Sequence, residues 1–152
     1  MDRGPFERLL ADLVLAEIRF LVVGGLACLF NGLARATDDI ALLIDAEPAN
    51  MQRLLAVLAH VGEGHATELS PADFTDQEGT IRLIEDFPID MFVRMRGLHY
   101  SDLLPHRRVL AGEVPIPYLD AEGLILLKSG SLRQRDQIDV ECLRRIRDGL
   151  AP

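Results

Sequence analysis

The sequence has few of the features that define several common protein classes. Its two cysteines, Cys28 and Cys142, are too few for a disulfide scaffold or a structural zinc site, and both are predicted to be small core residues. The longest apolar run, residues 20–30, has 11 residues including two glycines, which is too short to span a bilayer. The N-terminal segment is acidic rather than basic-then-apolar, unlike a signal peptide. These absences predict a cytoplasmic protein without a membrane span.

Length and charge narrow the class further. The 152 residues (16.9 kDa) fit one domain, 1–152, and a composition of 49% apolar and 26% charged residues supports a packed core. The formal net charge of −8 argues against binding of extended nucleic acid, where neutralised phosphates supply the affinity. It does not exclude a nucleotide held with Mg²⁺, because the metal brings its own positive charge.

Helical periodicity and short apolar runs alternate along the chain. Predicted helices cover residues 6–14, 26–33, 51–61, 98–104, 124–128 and about 136–148; predicted strands cover 19–23, 39–44, 81–84, 89–93, 109–111 and 114–116. Residues 62–79 are predicted to be a loop with at most one helical turn after Pro71. The pattern predicts an α/β fold, a small mixed sheet flanked by helices, with the C-terminal helices starting at about residue 120.

Three details of the C-terminal third are specific enough to test. Pro115 and Pro117, within and directly after the last predicted strand, favour a position at a sheet edge. Asp120 is a candidate N-cap for the helix that follows it. The apolar face of the last helix is predicted to consist of Ile138, Cys142, Leu143 and Ile146.

The first candidate site is Gly24-Gly25, between a predicted strand and a helix. Two glycines let the backbone turn sharply and approach a ligand without an intervening Cβ, and the next helix would direct free N–H groups at an anion. A tight turn without any ligand explains the same pattern.

The second and third candidates are carboxylates on apolar strands. Asp39 stands at the start of one strand and Asp90 lies within another, both costly places for a charge unless it binds a cation or a polar partner. Either residue alone is explained equally well as a solvated edge position.

The fourth candidate is Lys128, the only lysine of the chain, at the end of an apolar helix segment. Its partner is predicted to be either a carboxylate such as Asp136 or a phosphate. A lysine whose stem passes the core and whose ammonium reaches water is the alternative.

In this order and spacing, the four pieces resemble the nucleotidyltransferase superfamily, which includes DNA polymerase beta. The closest likeness is to the abortive-infection type found in bacterial toxin–antitoxin systems and to short relatives of it. The matching segments are V-G-G-L-A at 23–27, R-A-T-D-D-I-A at 35–41, I-D-M at 89–91, and Lys128 with R-Q-R-D-Q-I-D at 133–139. They extend over nearly the whole chain.

The resemblance implies a role for each position. Gly24 and Gly25 would hold a nucleoside triphosphate, and Arg35 and Thr37 would shape the approach to it. Asp39 and Asp90 would be the catalytic carboxylates and the ligands of Mg²⁺. The catalytic Lys128 would steady the triphosphate or the acids. The implied reaction transfers a nucleoside monophosphate to an unknown acceptor.

One position departs from the family pattern. The family places its first two carboxylates at i and i+2 on one strand face, and here the second is Ala41. Asp38 points to the other face, and Asp45 is about 20 Å further along an extended strand. Glu85 or Asp86 could supply the missing metal ligand from another part of the chain. A mechanism that uses a single metal ion is the alternative way of retaining activity.

Two hypotheses follow from the resemblance. The first is a Mg²⁺-dependent nucleotidyltransferase. The second is a catalytically inactive member of the same fold that binds nucleotide or a partner protein, and a role within a toxin–antitoxin pair is one form of this hypothesis. The absence of a carboxylate at Ala41 favours the second, whereas the retained Asp39, Asp90 and Lys128 favour the first.

Overall fold

The structure is a computed structural model that describes residues 4–152. Its helices are α1 Pro5–Leu15, α2 Gly24–Phe30, α3 Pro48–Leu58, α4 Tyr100–Leu103, α5 Ala121–Lys128 and α6 Gln134–Arg147. Its strands are β1 Phe20–Val23, β2 Ile40–Ile44, β3 Ile81–Ile84, β4 Pro88–Phe92, β5 Arg94–Met95, β6 Leu98–His99, β7 Arg107–Leu110 and β8 Ile116–Leu119. Short 3₁₀ turns lie at His65–Glu68, Pro71–Asp73 and Leu104–His106.

The predicted small mixed sheet is confirmed and has six strands in the order β3-β4-β2-β1-β8-β7. β1 and β2 are antiparallel, whereas β2 pairs with β4 and β1 pairs with β8 in parallel. Antiparallel β3 and β7 close the two edges. The central strands β1 and β2 are almost entirely buried, as expected for strands covered on both faces.

Helical periodicity correctly predicted the helices that cover the sheet. α1 begins at Pro5, where the missing N–H costs no hydrogen bond, and it buries Leu9, Leu10 and Leu13. α3 likewise buries Met51 and its leucines against the sheet. The predicted cap of α5 is also present, since Asp120 Oδ1 accepts a hydrogen bond of 2.7 Å from the Gly123 N–H.

Several predictions about the elements were wrong in detail. The last predicted strand, 114–116, lies at Ile116–Leu119, and residues 98–99 of the predicted helix 98–104 form strand β6. α2 begins at Gly24, two residues before its predicted start. β8 is not an edge strand, because it lies between β1 and β7, and its pairing with β1 is confined to Val22 opposite Tyr118. Ile138 is 56% exposed and does not belong to the buried face of α6, which instead contains Asp139, Val140 and Leu143. The helix is rotated so that a carboxylate points inward.

No helix within residues 4–152 combines the length and the apolar character needed to cross a bilayer. Both cysteines are free thiols. Cys28 is fully buried, as predicted for a core residue, whereas Cys142 is only partly buried and lies outside the hydrophobic core, so its prediction as a core residue was wrong. Burial raises the pKa of the Cys28 thiol.

Candidate functional site

A cleft of about 430 Å³ lies at one end of β1 and β2, where the chain passes from β1 into α2. Six of the seven residues singled out from the sequence line it, and they come from three separate parts of the chain: Gly24, Gly25, Arg35, Thr37, Asp39 and Lys128. The seventh, Asp90, adjoins the cleft through its contact with Arg82, which also lines it. The structure therefore brings all the predicted site residues together.

Gly24 turns the chain sharply from β1 into α2. Its φ of +68° is in the left-handed region, and a Cβ at this position would lie 3.0 Å from the Cβ of Ala41 on β2. Gly25 is also tightly packed, because a Cβ there would lie 3.2 Å from Thr37 Oγ1. The paired glycines thus allow the segment before β2 to pack directly against the backbone of the turn.

The segment 35–39 is held by contacts at both of its ends. Thr37 Oγ1 donates a hydrogen bond of 3.1 Å to the carbonyl oxygen of Asp39, which positions the residue that enters β2. At the other end, the guanidinium of Arg35 forms a salt bridge with Asp139 of α6. This segment therefore connects the sheet to the C-terminal helices along one wall of the cleft.

Strand register aligns a row of side chains along the cleft side of the sheet. Arg82 on β3 is opposite Asp90 on β4, Asp90 is opposite Ala41 on β2, and Ala41 is opposite Val23 on β1. Asp39, two residues before Ala41, has the same facing because side chains alternate along an extended chain. A carboxylate at position 41, where the resemblance implies one, would stand in the middle of this row.

Arg82 bridges the two acids of that row. Its Nε donates to Asp90 Oδ1 at 2.7 Å and its Nη2 donates to Asp90 Oδ2 at 2.9 Å, a bidentate pair, while Nη2 also reaches Asp39 Oδ2 at 3.5 Å. Burial, followed by the nearby charge of Asp90, raises the pKa of Asp39, and the Arg82 charge opposes that rise. A single guanidinium therefore neutralises part of a closely spaced carboxylate pair.

Lys128 pairs with carboxylates, one of the two kinds of partner predicted for it from the sequence. Its Nζ lies 3.3 Å from Asp136 Oδ1 and 3.2 Å from Asp139 Oδ2. Burial acts to raise the pKa of Asp136, but the hydrogen bond from Ser131 and the charge of Lys128 outweigh it, so that pKa lies below its ordinary value. Because Asp139 contacts both Lys128 and Arg35, this buried carboxylate anchors two cations of the cleft wall.

The side chains of the cleft do not fit the two-Mg²⁺ centre that the resemblance implies. Within residues 4–152, no group of three or more potential ligand side chains is close enough to hold a metal ion. Position 41 lacks a carboxylate, and the two acids present already have Arg82 as a counterion. Glu85 cannot replace the missing ligand, because its fully buried carboxylate accepts hydrogen bonds from the N–H groups of Glu63 and His65.

Two important residues were not singled out as site residues from the sequence, Arg82 and Asp139. Arg82 alternates with apolar neighbours on β3, and only the pairing of Ile84 with Pro88 places it opposite Asp90. A shift of one residue in that hairpin would have put it opposite a different side chain. For Asp139, the signal was its place in the R-Q-R-D-Q-I-D segment at 133–139, three residues after Asp136 and on the same helix face.

Comparison with known proteins supports the architecture. No protein-family model matches the chain, and no curated protein does. Among solved structures, the crystal structure of TM1012 from Thermotoga maritima, described as a "putative nucleotidyltransferase", is similar with a TM-score of 0.53 and 16% sequence identity. The match covers 98% of this chain and 96% of that chain. The chain has a nucleotidyltransferase-like fold. At this level of identity the likeness concerns the fold alone, and the cleft's own chemistry must support any function.

Proposed function

We propose that this protein binds a nucleoside triphosphate in the cleft, with the phosphates against the cationic wall, and that it does not transfer the nucleotide. The observation that carries the proposal is the charge of the cleft. Five cationic side chains line it: Arg35, Arg82, Lys128, Arg133 and Arg135. The first three already pair with Asp139, Asp90 and Asp136, whereas Arg133 and Arg135 form no salt bridge within the described residues. Arginine is well suited to phosphate because its planar group offers several N–H donors.

The glycine turn supports the same ligand. Gly24 and Gly25 both line the cleft, so the backbone of the turn itself borders the space that a bulky anion would occupy. The volume of about 430 Å³ lies within the range typical of small-molecule sites. Close backbone approach together with arginine donors is the combination that phosphate groups require.

Nucleotidyl transfer is the second candidate, and the proximity of Asp39 and Asp90 favours it. Two closely spaced carboxylates are a common feature of Mg²⁺ sites, in which substrate phosphates and water complete the coordination. This candidate requires Mg²⁺ to displace Arg82 from the acids, and the resulting reaction would release pyrophosphate. The existing contacts of Arg82 with both acids are the reason for ranking it second.

A protein partner belongs to the same proposal. A nucleotide-binding protein without turnover would act through another protein, as in the toxin–antitoxin systems that the sequence resembles. The product of a neighbouring gene is the candidate partner, and co-expression followed by co-purification tests this point. Cytoplasmic localisation stays a prediction.

Calorimetric titration tests the binding proposal. We expect inorganic triphosphate and at least one of ATP, CTP, GTP and UTP to bind, and Arg135→Gln to weaken binding about three- to tenfold through loss of one cation at the cleft. Arg53→Gln is the matched control, since Arg53 is an exposed arginine on α3 that does not line the cleft. Absence of binding by every probe would disprove the proposal. Pyrophosphate release on addition of candidate acceptors would replace it with the second candidate.

A further inference from the structure

Arg82 occupies the place at the carboxylate pair where a cation is needed. Its guanidinium contacts both Asp39 and Asp90, and its alignment with them follows from strand register rather than from a loop conformation. The Asp90 side chain is only 11% exposed, so its charge requires a nearby counterion. The contact with Asp90 is bidentate, which is the strongest geometry available to an arginine–carboxylate pair.

We propose that Arg82 replaces the divalent cation of this fold, so that the cleft binds triphosphate without Mg²⁺; this inference rests on the proposed function. The guanidinium stays charged at every physiological pH and is therefore a permanent cation at the site. Its Nε and Nη2 face the acids, whereas Nη1 has no hydrogen-bond partner in the described part of the chain. Arg82 is half exposed and lines the cleft, so Nη1 can donate to a phosphate oxygen.

The same arrangement disfavours Mg²⁺. An ion at Asp39 and Asp90 would be close to the Arg82 guanidinium, and the two positive charges would repel each other. Ala41 supplies no ligand that would compensate for this repulsion. Furthermore, Mg²⁺ bound to a triphosphate cancels part of its negative charge and so weakens its attraction to the arginines of the cleft. Both effects predict that Mg²⁺ does not strengthen binding.

The decisive measurement compares triphosphate binding by the wild-type protein in EDTA and in excess Mg²⁺. We expect the dissociation constant of inorganic triphosphate in EDTA to be equal to or lower than that in Mg²⁺. Tightening by Mg²⁺ of tenfold or more would overturn the role of Arg82 while leaving the proposed function intact. Absence of binding under both conditions would overturn both proposals. The wild-type comparison does not depend on the folding of any variant.

Two variants extend the test. Arg82→Met is expected to weaken triphosphate binding in EDTA at least tenfold, the loss typical of one charge-assisted hydrogen bond, whereas Arg53→Met leaves it unchanged.

Ala41→Asp combined with Arg82→Met restores a third carboxylate and removes the competing cation. We expect this double variant to bind Mn²⁺, seen as loss of the free-ion signal in electron paramagnetic resonance, and the wild type not to bind it. Equal Mn²⁺ binding by the wild type would contradict the inference.

Discussion

Asp139 contacts two cations from different elements, and its replacement by Asn should destabilise the fold substantially. The Arg35, Lys128 and Asp139 side chains are only 15%, 15% and 10% exposed, so water screens their charges poorly. Removing one partner from a fully buried ion pair costs about 3–5 kcal/mol. Lys128 keeps Asp136, and Asn retains an acceptor oxygen, which lowers the expected loss to about 2–3 kcal/mol.

Urea denaturation followed by circular dichroism measures this loss as a shift of the midpoint at constant m-value. The matched control is Glu141→Gln, which removes the same charge from an exposed position on the same helix. We expect the control to change the free energy of unfolding by less than about 0.5 kcal/mol. An equally small effect of Asp139→Asn would show that Asp139 does not anchor Arg35 and Lys128 in solution.

Three further predictions concern the construction of the fold. Gly24→Ala should destabilise by about 1–2 kcal/mol because φ is +68°, whereas Gly112→Ala, whose φ is outside the left-handed region and whose added Cβ would meet only the Val114 carbonyl oxygen at 3.9 Å, should be nearly neutral in the same denaturation assay. Asn50→Ala should cost about 2–3 kcal/mol in thermal or urea unfolding, because this fully buried amide makes three backbone hydrogen bonds. The pKa of Asp136 is lower in the folded protein than in the unfolded chain, so the unfolded chain binds the proton more tightly. The stabilisation that ionised Asp136 contributes is therefore complete above about pH 4 and is lost as the pH falls through the folded pKa. The stability difference between wild type and Ser131→Ala should therefore narrow as the pH is lowered below about 4, and a constant difference would refute this assignment.

Local patterns predicted most elements of the fold correctly. The helical spacing of α1 and α3 and the apolar runs of β1 and β2 identify these elements without knowledge of their neighbours. The position of β8 was not predictable in this way, because Pro115 and Pro117 suit an edge strand. The sheet tolerates Pro117, the one proline within β8, because the pairing of β1 with β8 is brief. Ile138 was misassigned because the salt bridges of Asp139 rotate the buried face of α6.

The amino-acid sequence by itself determined which residues can carry the chemistry: the glycine pair, the acids on apolar strands, the single lysine and the alanine at the second carboxylate position. Only the tertiary structure decided that Arg82, rather than another cation, contacts Asp39 and Asp90. The physical reason is strand register. A shift of one residue moves a side chain to the opposite face of a sheet, and hydrogen bonding between strands distant in sequence sets that alignment.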